Sequence, residues 1–451
     1  MPSVFIKTYG CQMNERDSEA VAAQLVAKGY TLAESEAVAD VILLNTCSVR
    51  ELAEQKALGK MASLAAEVRA HRPGVILGFM GCMAQRQGRR LLERFPEVAL
   101  VTGTQKVHRV ADYVEELLAG RRDRIVDVGS EPDGSVHPHL HLQQNRGLRP
   151  VTAFVSIMEG CNHRCAFCVV PTTRGPERSR PIADIVAECR QLAAAGVKEV
   201  TLLGQVVTSY GRREIPVRDG KSPFVQLLEA VHEVEGLERI RFTASHPIGY
   251  GEDLIEAYGR LPKLVESAHL PVQSGSNRIL RLMRRGYTRE RYLELVAKLR
   301  RVQPRLGLCT DIIVGFPGET EEDFQQTLSL MEEAQFDQAF LFKYSPREGT
   351  AAVDLPDPVP QQVREERHQR ALALMNQLGR RKYEACVGQI MQILVEGPSK
   401  NNPARLMGRT RCNKIVVFEG SPRHYGQLLD VRIVRAGSFT LYGDPAIKNL
   451  D

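Results

Sequence analysis

Residues 159–168 read Glu159-Gly160-Cys161-Asn162-His163-Arg164-Cys165-Ala166-Phe167-Cys168 and space three cysteines as Cys-x-x-x-Cys-x-x-Cys. A loop this compact can bring three thiolates round one small inorganic centre. Three ligands are one fewer than a closed tetrahedral zinc site or a fully ligated four-iron cluster takes, so one metal corner stays open to a small molecule. The apolar, β-prone run at residues 152–158 precedes the loop. We therefore expect the cysteines at the C-terminal end of a strand.

A zinc knuckle is the alternative interpretation of three close cysteines. No fourth Cys or His stands at zinc-ribbon spacing, and His163 lies inside the loop, where its backbone belongs to the turn. The spacing instead resembles the radical S-adenosylmethionine (SAM) superfamily. The flanks resemble the MiaB type of methylthiotransferase, which modifies tRNA; they are Ser156-Ile157-Met158-Glu159-Gly160-Cys161-Asn162 and Cys168-Val169-Val170-Pro171-x-Thr173-Arg174-Gly175. The resemblance implies that Cys161, Cys165 and Cys168 hold a [4Fe-4S] cluster that binds SAM.

Length and composition are typical of a multidomain globular protein. The 451 residues exceed what one hydrophobic core usually supports, so we expect two or three domains. The N-terminus runs straight into a strand-like segment and does not resemble a signal peptide. No apolar run approaches the roughly 20 residues that span a bilayer, and we expect a cytoplasmic protein. In that compartment the ten cysteines are metal ligands or buried thiols rather than disulfides.

Residues 1–120 alternate β-like and helical stretches. Strands are predicted at residues 3–8, 41–46, 75–81 and 99–101, and helices at residues 18–28, 49–69 and 85–95. This alternation predicts an α/β domain with a doubly wound parallel sheet and helices on both faces. Ligands of such sheets gather beyond the C-terminal ends of the strands.

Three further cysteines, Cys11, Cys47 and Cys82, each follow a predicted strand. A single cysteine at a strand end is usually inert, but three at equivalent positions can converge on a second three-thiolate metal site. Their surroundings resemble the N-terminal methylthiotransferase domain; they are Thr8-Tyr9-Gly10-Cys11-Gln12-Met13-Asn14, Asn45-Thr46-Cys47-Ser48-Val49-Arg50 and Gly81-Cys82-Met83-Ala84-Gln85. The resemblance implies that these three cysteines hold an auxiliary [4Fe-4S] cluster, one iron of which carries the sulfur to be inserted.

Residues 121–146 form the predicted linker, because Gly, Pro, His, Asp and Arg are frequent there and hydrophobic periodicity is weak. His137, His139 and His141 alternate within it. Alternating histidines can bind a metal, but no acidic or thiol partner flanks them. We therefore favour a linker without a metal site.

Residues 147–382 resume the alternation. Strands are predicted at residues 152–158, 199–203, 240–244, 265–272, 308–314 and 339–344, and helices at residues 182–195, 223–234, 253–260, 289–301 and 321–334. Six strands with helical crossovers are too few for a full eight-stranded barrel and predict a partial (β/α)6 barrel. The resemblance to radical SAM enzymes implies the same fold. Cys189 and Cys309 fall within a helix and a strand, and we expect both to be buried structural thiols.

Several of these strands end in polar or glycine-rich segments, which on one rim of a barrel predict the SAM pocket. The residues assigned to it are Gly204, Gln205, Ser245, Gln273, Gly315, Pro317, Gly318 and Glu319. By resemblance, residues 315–319 lie near the adenine. The family pattern Gly-Gln-Asn-Val-Asn-Ser-Tyr is here Gly204-Gln205-Val206-Val207-Thr208-Ser209-Tyr210. Val206 and Thr208 therefore replace two side-chain amides, together with any hydrogen bonds that those amides make in relatives.

Two basic stretches lie after the fourth strand of this region and after a Pro-rich hinge. They contain Arg278, Arg281, Arg284, Arg285, Arg289 and Arg291, and Arg364, Arg367, Arg370, Arg380, Arg381 and Lys382. A solvated helix face is the alternative for each stretch. Two such stretches in a chain of net charge +6 favour a surface that follows phosphates.

Residues 383–446 change pattern to short predicted strands, at residues 390–395, 405–409, 414–418, 428–434 and 439–441. Five short strands in a compact basic unit predict a small OB-like β-barrel. The segment Gly408-Arg409-Thr410-Arg411-Cys412-Asn413-Lys414-x-Val416 resembles the TRAM domain, an RNA-binding module. Arg409, Arg411 and Lys414 are the candidate RNA contacts, although a protein-binding role is physically possible. Cys386 and Cys412 match no ligand spacing.

The resemblance extends over nearly the whole chain and implies a radical SAM methylthiotransferase. Its implied substrate is adenosine 37 of a tRNA anticodon stem-loop that already bears an N6-isopentenyl group; sulfur enters at C2 and a second SAM provides the methyl group. The implied cofactors are SAM and two [4Fe-4S] clusters. The implied partners of a monomeric enzyme are tRNA, an electron donor such as flavodoxin or ferredoxin, and iron–sulfur assembly proteins. We identify no catalytic residue beyond the cluster ligands.

Two other functions stay open. The first is a methylthiotransferase that acts on threonylcarbamoyl-adenosine 37 or on a ribosomal-protein aspartate; the residues after Cys168 and the TRAM-like segment favour the isopentenyl-adenosine branch. The second is an iron–sulfur protein that binds RNA or senses redox state without catalysis. The segments assigned to the SAM pocket argue against it.

Overall fold

A computed structural model of the chain describes residues 2–48, 51–130, 140–142 and 149–445. The strands of its N-terminal part are β1 Ser3–Tyr9, β2 Thr31–Leu32, β3 Val41–Thr46, β4 Ile76–Gly81, β5 Val98–Thr102 and β6 Ile125–Asp127. The helices are α1 Gln12–Ala27, α2 Glu51–His71, α3 Cys82–Gln87, α4 Arg90–Arg94 and α5 Val110–Leu118. The strands form one sheet in the order β2-β1-β3-β4-β5-β6, and each neighbouring pair is parallel.

Both faces of this sheet are covered. Alternate residues of β3 enter two separate cores: Ile42 and Leu44 pack with α2 and α4, whereas Val41 and Leu43 pack with α1 and α5. Every residue of β3 is buried, as a parallel strand between two helical layers requires. The expected doubly wound parallel α/β domain is confirmed.

Two expectations for this part of the chain were wrong. The helix predicted at residues 85–95 is two short helices, α3 and α4, because Gly88 between them takes φ +50° and ends α3. The linker predicted at residues 121–146 contains β6, which pairs with β5 and extends the sheet. A strand of three residues is too short to show hydrophobic periodicity. His137 and His139 lie outside the described residues.

His141 lies in a polar cluster with the buried residues Arg16 and Glu188, and its own ring is partly exposed. Its ring contacts Glu188 Oε1, in the part of the chain that follows residue 149, at 2.6 Å and Glu19 Oε1 of α1 at 3.2 Å. Arg16 lies at 3.2 Å from the same ring, and Arg180 pairs with Glu188 at 2.7 Å. Burial lowers the pKa of His141, but the hydrogen bonds to the two glutamates outweigh it, and the net pKa is raised.

The raised pKa of His141 predicts a pH-dependent stability. Its contribution is fully present below the ordinary histidine pKa and is lost as the pH rises through the raised folded-state pKa. We expect His141→Gln to lower the melting temperature more at pH 6 than at pH 8.5. Thermal unfolding of both proteins at the two pH values measures this; an equal loss at both would contradict a charged His141.

The second part of the chain contains strands β7 Thr152–Ser156, β8 Met158–Glu159, β9 Arg178–Ser179, β10 Glu199–Leu203, β11 Arg239–Phe242, β12 Ser267–His269, β13 Gly307–Val314 and β14 Gln338–Lys343. Strands β11, β10 and β7 form one parallel sheet, and β12, β13 and β14 form another. A parallel bridge between Ile240 and Leu264 joins the two. Six parallel strands therefore follow one another round an open arc, which confirms the partial (β/α)6 barrel. The short antiparallel pair β8–β9 stands apart from this arc.

The helices of this part are α6 Val170–Arg174, α7 Ile182–Ala194, α8 Pro223–His232, α9 Glu252–Arg260, α10 Asn277–Leu282, α11 Arg289–Val302, α12 Glu321–Ala334 and α13 Gln361–Glu384. Helices α7, α8, α9, α11, α12 and α13 pack with the barrel strands round one large hydrophobic core, whereas α10 contributes Ile279 to a smaller core. Cys189 is buried in that core, as expected, whereas Cys309 on β13 is half-buried. Across the described ranges, no helix combines the length and apolar character that crossing a membrane needs.

The C-terminal part is a closed barrel of β15 Ile390–Pro398, β16 Leu406–Thr410, β17 Ile415–Phe418, β18 Leu428–Ala436 and β19 Leu441–Pro445. The strand order is β15-β16-β17-β19-β18, and β17 and β19 are parallel. A core of small apolar side chains with Phe418 fills it. The expected small five-stranded barrel is confirmed.

The C-terminal barrel docks on the ends of the (β/α)6 barrel where its strands begin. Arg239, the first residue of β11, is fully buried, and its Nη1 donates to the Arg409 carbonyl at 2.7 Å. Lys414 Nζ pairs with Asp337, which directly precedes β14. Arg411 Nε donates to Glu266 Oε2, just before β12, at 2.7 Å. Arg409 itself pairs with Glu396 at 3.1 Å.

These contacts bear on the basic residues expected to meet RNA. Arg411 and Lys414 face the second domain, and Lys414 is buried, so the structure does not support them as RNA contacts. Several arginines of the two basic stretches are likewise paired within the chain. The pairs are Arg278 with Asp323, Arg289 with Glu333, Arg291 with Glu294, Arg367 with Glu319, Arg370 with Glu321 and Arg380 with Glu384. Arg289 and Arg367 are largely buried, whereas Arg278, Arg291, Arg370 and Arg380 keep exposed side chains in weak surface pairs. The phosphate-following surface therefore stays a prediction.

The Lys414–Asp337 pair predicts a large effect of one substitution. Lys414→Met would leave the Asp337 carboxylate without its cation, and breaking a buried pair on one side costs about 3–5 kcal/mol. Lys400→Met makes the same chemical change at an exposed position of the same barrel and should stay within about 0.5 kcal/mol of the parent. Urea unfolding followed by circular dichroism measures both; equal effects would contradict the pairing.

Candidate metal centres

Cys11, Cys47 and Cys82 lie at one edge of the N-terminal sheet. Cys11 directly precedes α1, Cys47 directly follows β3, and Cys82 begins α3 directly after β4. Strands β1, β3 and β4 are parallel neighbours, so their carboxyl ends meet at this edge. The structure therefore brings together the three cysteines that the sequence places far apart.

Two buried asparagines hold the turns that carry Cys11 and Cys47. Asn14 Nδ2 donates to Asn45 Oδ1 at 2.8 Å, and Asn45 Nδ2 donates to the Asn14 carbonyl at 2.8 Å. The Cys47 N–H donates to the Tyr9 carbonyl at 2.9 Å. These bonds tie the end of β1 to the end of β3 and give the asparagine of each motif a structural role.

Gly81 carries the third turn and cannot be replaced without strain. Its φ is +92°, a conformation that side-chain-bearing residues avoid, and an added Cβ would lie 2.3 Å from Asn45 Oδ1. Glycine at this position therefore lets the backbone before Cys82 approach the asparagine pair.

Hydrogen bonds, burial and a neighbouring charge shift the pKa values of the thiols at this edge. A hydrogen bond with Cys47 is the largest cause that lowers the pKa of the Cys11 thiol to about 6; the Arg174 charge acts in the same direction, and burial opposes both. Burial raises the pKa of the Cys82 thiol, and the Arg174 charge opposes that rise. Because the thiolate is the metal-binding form, this edge already favours the ligand state at Cys11.

Arg174 reaches this edge from the second domain. It is the last residue of α6 and is 3% exposed, and its Nη2 donates to Asp17 Oδ2 on α1 at 2.6 Å. The neighbouring Thr173 carbonyl accepts from Thr104 Oγ1 of the first domain at 2.6 Å. The end of α6 is thus docked inside the N-terminal domain, next to Cys11 and Cys82.

The loop with Cys161, Cys165 and Cys168 follows β8 and is held at several points. The Cys161 N–H donates to the Gly175 carbonyl at 3.0 Å, and the Cys168 N–H donates to the Cys165 carbonyl at 3.1 Å. Gly160 has φ +77°, and an added Cβ would lie 1.9 Å from the Pro176 carbonyl oxygen. The loop therefore needs glycine directly before its first cysteine, as the family pattern has it.

Arg285 is the buried cation of this second thiol set. Its Nη1 donates to Cys165 Sγ at 3.2 Å, and its Nη2 donates to the Pro271 carbonyl at 3.2 Å. Burial raises the pKa of Cys161 to about 11 and that of Cys168 to about 12. These two thiols stay protonated until a metal displaces their protons.

Each donor set consists of three cysteine thiols. Within the described residues, no group of three His, Cys, Asp or Glu side chains is arranged to hold one metal ion. A [4Fe-4S] cluster takes one thiolate for each iron, so its ligands stand further apart than those of a single ion. A buried guanidinium supplies positive charge next to each set: Arg285 beside Cys165, and Arg174 beside Cys82.

Seven of the eight residues assigned to the SAM pocket fall into two groups. Gly204 and Gln205 follow β10, and Ser245 precedes His246, whose N–H donates to Thr208 Oγ1 at 3.2 Å. The His246 ring stacks on His163 of the cysteine loop with centroids 4.4 Å apart. Burial lowers the pKa of His246 to about 2, so its ring is neutral. Gln205 Oε1 and His246 Nε2 are buried without a hydrogen-bond partner among the residues that the structure describes. Both are polar atoms available to a bound ligand.

The second group, Gly315, Pro317, Gly318 and Glu319, forms one loop after β13. Glu319 Oε1 accepts from the Gly315 N–H at 2.8 Å and from Arg367 Nη1 at 2.7 Å. Burial raises the pKa of Glu319 to about 7 against the opposing effect of these two bonds. Glu319 therefore holds the loop in shape, and Arg367 ties it to α13.

A cavity of about 850 Å³ lies between α2 of the first domain and the barrel opening. Cys168 and Gln273 line it, together with Asp311 and the side chains of residues 341–347. Gln273 takes φ +73°, an unfavourable conformation for a side-chain-bearing residue that often occurs at ligand sites. Among the eight residues assigned to the SAM pocket, all within the described ranges, Gln273 is the one that lines this cavity.

Sequence reasoning missed several of these residues. Arg285 was grouped with a basic surface, although it is buried against Cys165. Asp17 and Arg174 had no assigned role, although the position of Arg174 shortly after Cys168 is a usable signal. Asp311 Oδ1 accepts from His269 Nε2 at 3.0 Å, and Asp311 lines the cavity; no local pattern marks it.

Three family models match the chain. Residues 155–331 match the radical SAM superfamily, residues 384–446 match the TRAM domain, and residues 3–103 match a family described as uncharacterized protein family UPF0004. The first two matches cover the barrel with its cysteine loop and the small C-terminal barrel. The third covers the sheet edge with Cys11, Cys47 and Cys82.

Curated relatives match the chain over nearly its whole length. A tRNA-2-methylthio-N(6)-dimethylallyladenosine synthase of Akkermansia muciniphila is 52% identical over 99% of this chain and 99% of the relative. A synthase of the same name from Opitutus terrae is 52% identical over 98% and 97%. One from Moorella thermoacetica is 48% identical over 97% of each.

Among solved structures, the chain resembles TsrM from Kitasatospora setae, a radical S-adenosylmethionine methyltransferase solved with cobalamin and a [4Fe-4S] cluster. The TM-score is 0.56, with 14% identity over 86% of this chain and 79% of that chain. A likeness at this identity shows the fold alone. On the full-length identity to the curated synthases and the three domain matches, the chain belongs to the MiaB-type family of radical SAM methylthiotransferases.

Proposed function

We propose that this chain is a tRNA-2-methylthio-N6-dimethylallyladenosine synthase. It inserts sulfur at C2 of N6-isopentenyladenosine 37 of tRNA and methylates that sulfur, with SAM and two [4Fe-4S] clusters as cofactors. One observation carries the proposal: α6 links the two thiol sets directly, since it begins two residues after Cys168 and ends at Arg174 beside Cys11 and Cys82. The whole helix is only about 8 Å long.

Membership of the radical SAM superfamily implies one [4Fe-4S] cluster and SAM. Cys161, Cys165 and Cys168 would hold that cluster, and Cys11, Cys47 and Cys82 would hold the second. When bound, these cofactors supply the one-electron chemistry that replaces an inert C–H bond by a C–S bond, which acids and bases cannot achieve.

The contribution of the chain is to hold charges and to enclose the reaction. Arg285 keeps a positive charge and a hydrogen-bond donor on Cys165, and Arg174 places a cation beside Cys11 and Cys82. Helix α2 covers the barrel opening, so that the cavity between them can separate the reacting base from bulk water. Its volume of about 850 Å³ lies within the range of small-ligand sites. An unpaired anticodon-loop base can enter such a cavity, whereas a stacked duplex base cannot.

The implied partners follow from this reaction. The tRNA anticodon stem-loop is the substrate, and the TRAM-like barrel is a candidate to contact it through faces other than the docked β16–β17 turn. A flavodoxin or ferredoxin would deliver the electron, and iron–sulfur assembly proteins would load the clusters. We propose that the protein acts as a monomer in the cytoplasm, where its tRNA substrate is found.

Single cysteine variants should separate the two proposed clusters. Cys165→Ala should abolish formation of 5′-deoxyadenosine from SAM by the reduced protein, because the SAM-binding cluster loses a ligand. Cys47→Ala should still form 5′-deoxyadenosine but yield no methylthiolated tRNA. Anaerobic assays with chromatography of both products measure this. A Cys189→Ala variant, which removes a buried thiol away from both sets, should retain both activities. Absence of 5′-deoxyadenosine from the parent protein would contradict the proposal.

The substrate is tested in cells. Deletion of the gene should remove the methylthio group from isopentenyl-adenosine in total tRNA, and the isopentenyl-adenosine precursor should accumulate. Mass spectrometry of tRNA nucleosides measures both. Loss of the methylthio group from threonylcarbamoyl-adenosine, or of a modification on a ribosomal-protein aspartate, with isopentenyl-adenosine unaffected would instead identify one of the other methylthiotransferase reactions.

A further inference from the structure

Arg174 stands out because it belongs to one domain and is buried in another. It follows the SAM-cluster cysteines in sequence, yet its guanidinium lies beside Cys11 and Cys82 at the edge of the N-terminal sheet. The side chains of Arg174 and Asp17 are 3% and 1% exposed. A buried arginine is expected to have all its donors satisfied, because an unpaired charged donor in the interior is costly.

The hydrogen bonds of this pair are incomplete. Arg174 Nη2 donates to Asp17 Oδ2 at 2.6 Å, whereas Arg174 Nη1 is buried and meets no acceptor among the described residues. The guanidinium is fixed by Asp17 on one side and lies near the thiols of Cys11 and Cys82 on the other. It therefore has one donor available for a ligand held by those thiols.

The negative charge of a cluster bound to these thiols also favours a contact with Arg174. Three thiolates outweigh the two positive charges of an oxidised [4Fe-4S] core, so the bound cluster is anionic, and reduction makes it more so. Asp17 adds a further negative charge close to Cys82. A buried cation is needed to hold this charge in the interior, and Arg174 occupies the appropriate place.

We propose that Arg174 is a positioning residue for the auxiliary cluster: it donates a charge-assisted hydrogen bond from Nη1 to a sulfur of the cluster unit and raises its reduction potential. This inference rests on the proposed function, because it requires a cluster on Cys11, Cys47 and Cys82. Net charge and hydrogen bonds to sulfur are among the main determinants of iron–sulfur potentials. A cation that stabilises the more negative, reduced form makes the cluster easier to reduce.

The test measures the potential of the auxiliary cluster alone. The parent is the full-length Cys161→Ala/Cys165→Ala/Cys168→Ala variant, reconstituted without oxygen, with iron and sulfide counted and the reduced cluster followed by electron paramagnetic resonance during a redox titration. In that background, Arg174→Gln should lower the ratio of reduced to oxidised cluster at a fixed potential about tenfold, which corresponds to about 59 mV for a one-electron couple. Arg174→Lys, which keeps the charge, should shift less.

Asp17→Asn distinguishes charge from structural support. It breaks the same ion pair as Arg174→Gln but removes a negative charge, so it should move the potential in the opposite, positive direction. If the substitutions acted only by loosening the domain interface, the reduction potentials of both variants would shift in the same direction. Arg180→Gln is the matched control: Arg180 is equally buried and follows on the same segment, but it contacts Glu188 and the Ser156 carbonyl. Its potential should equal that of the parent.

The outcomes distinguish the presence of the auxiliary cluster from the role of Arg174. A parent that binds no iron would overturn the proposed auxiliary cluster and this inference with it. Two results with a fully loaded parent would overturn the role of Arg174 alone. In the first, Arg174→Gln has the same reduction potential as the parent. In the second, Arg174→Gln and Asp17→Asn shift the potential in the same direction. Opposite shifts in those two variants, with an unchanged Arg180→Gln control, support it.

Discussion

The buried pair of Arg174 and Asp17 joins the two halves of the site. A buried ion pair adds little net stability, but removing one partner leaves a charge in the interior and costs several kcal/mol. Such a pair therefore tolerates few alternative arrangements of the two domains. Because α6 connects Arg174 to the loop with Cys161, Cys165 and Cys168, this contact fixes one thiol set relative to the other. The cavity between α2 and the barrel opening depends on the same docking.

Both ends of the (β/α)6 barrel contact another part of the chain. The cysteine loop and the N-terminal domain lie where β7 and the other strands end, as ligand sites of parallel sheets do. The C-terminal barrel lies at the opposite end, held by residues at the starts of strands such as Arg239, and by Asp337 just before β14. Arg411 and Lys414 of the TRAM-like segment form ion pairs with residues of the (β/α)6 barrel in that docking.

Parts of the fold followed from patterns that are strong in a single sequence. Strand β3 begins with four apolar residues and β13 ends with three, and helices such as α12 have a clear amphipathic period and a capping Thr320 with Asp323. Strands β2 and β6 were missed because two or three residues carry no periodicity. Helix α10 lies inside a run of arginines, where charge hid the buried Ile279 and Leu280. Its end leads into Arg285, whose burial no local pattern indicates.

The sequence by itself determined the two sets of three cysteines, their glycine-rich turns and the family to which the chain belongs, because ligand spacing and turn chemistry are local properties. Only the tertiary structure decided that Cys11, Cys47 and Cys82 meet, that Arg174 joins them from another domain, and that Lys414 faces protein instead of RNA. Charges act through space over a few ångströms, whatever their separation along the chain. Which charges become neighbours is set by how the domains pack, and the packing is not written in any one segment.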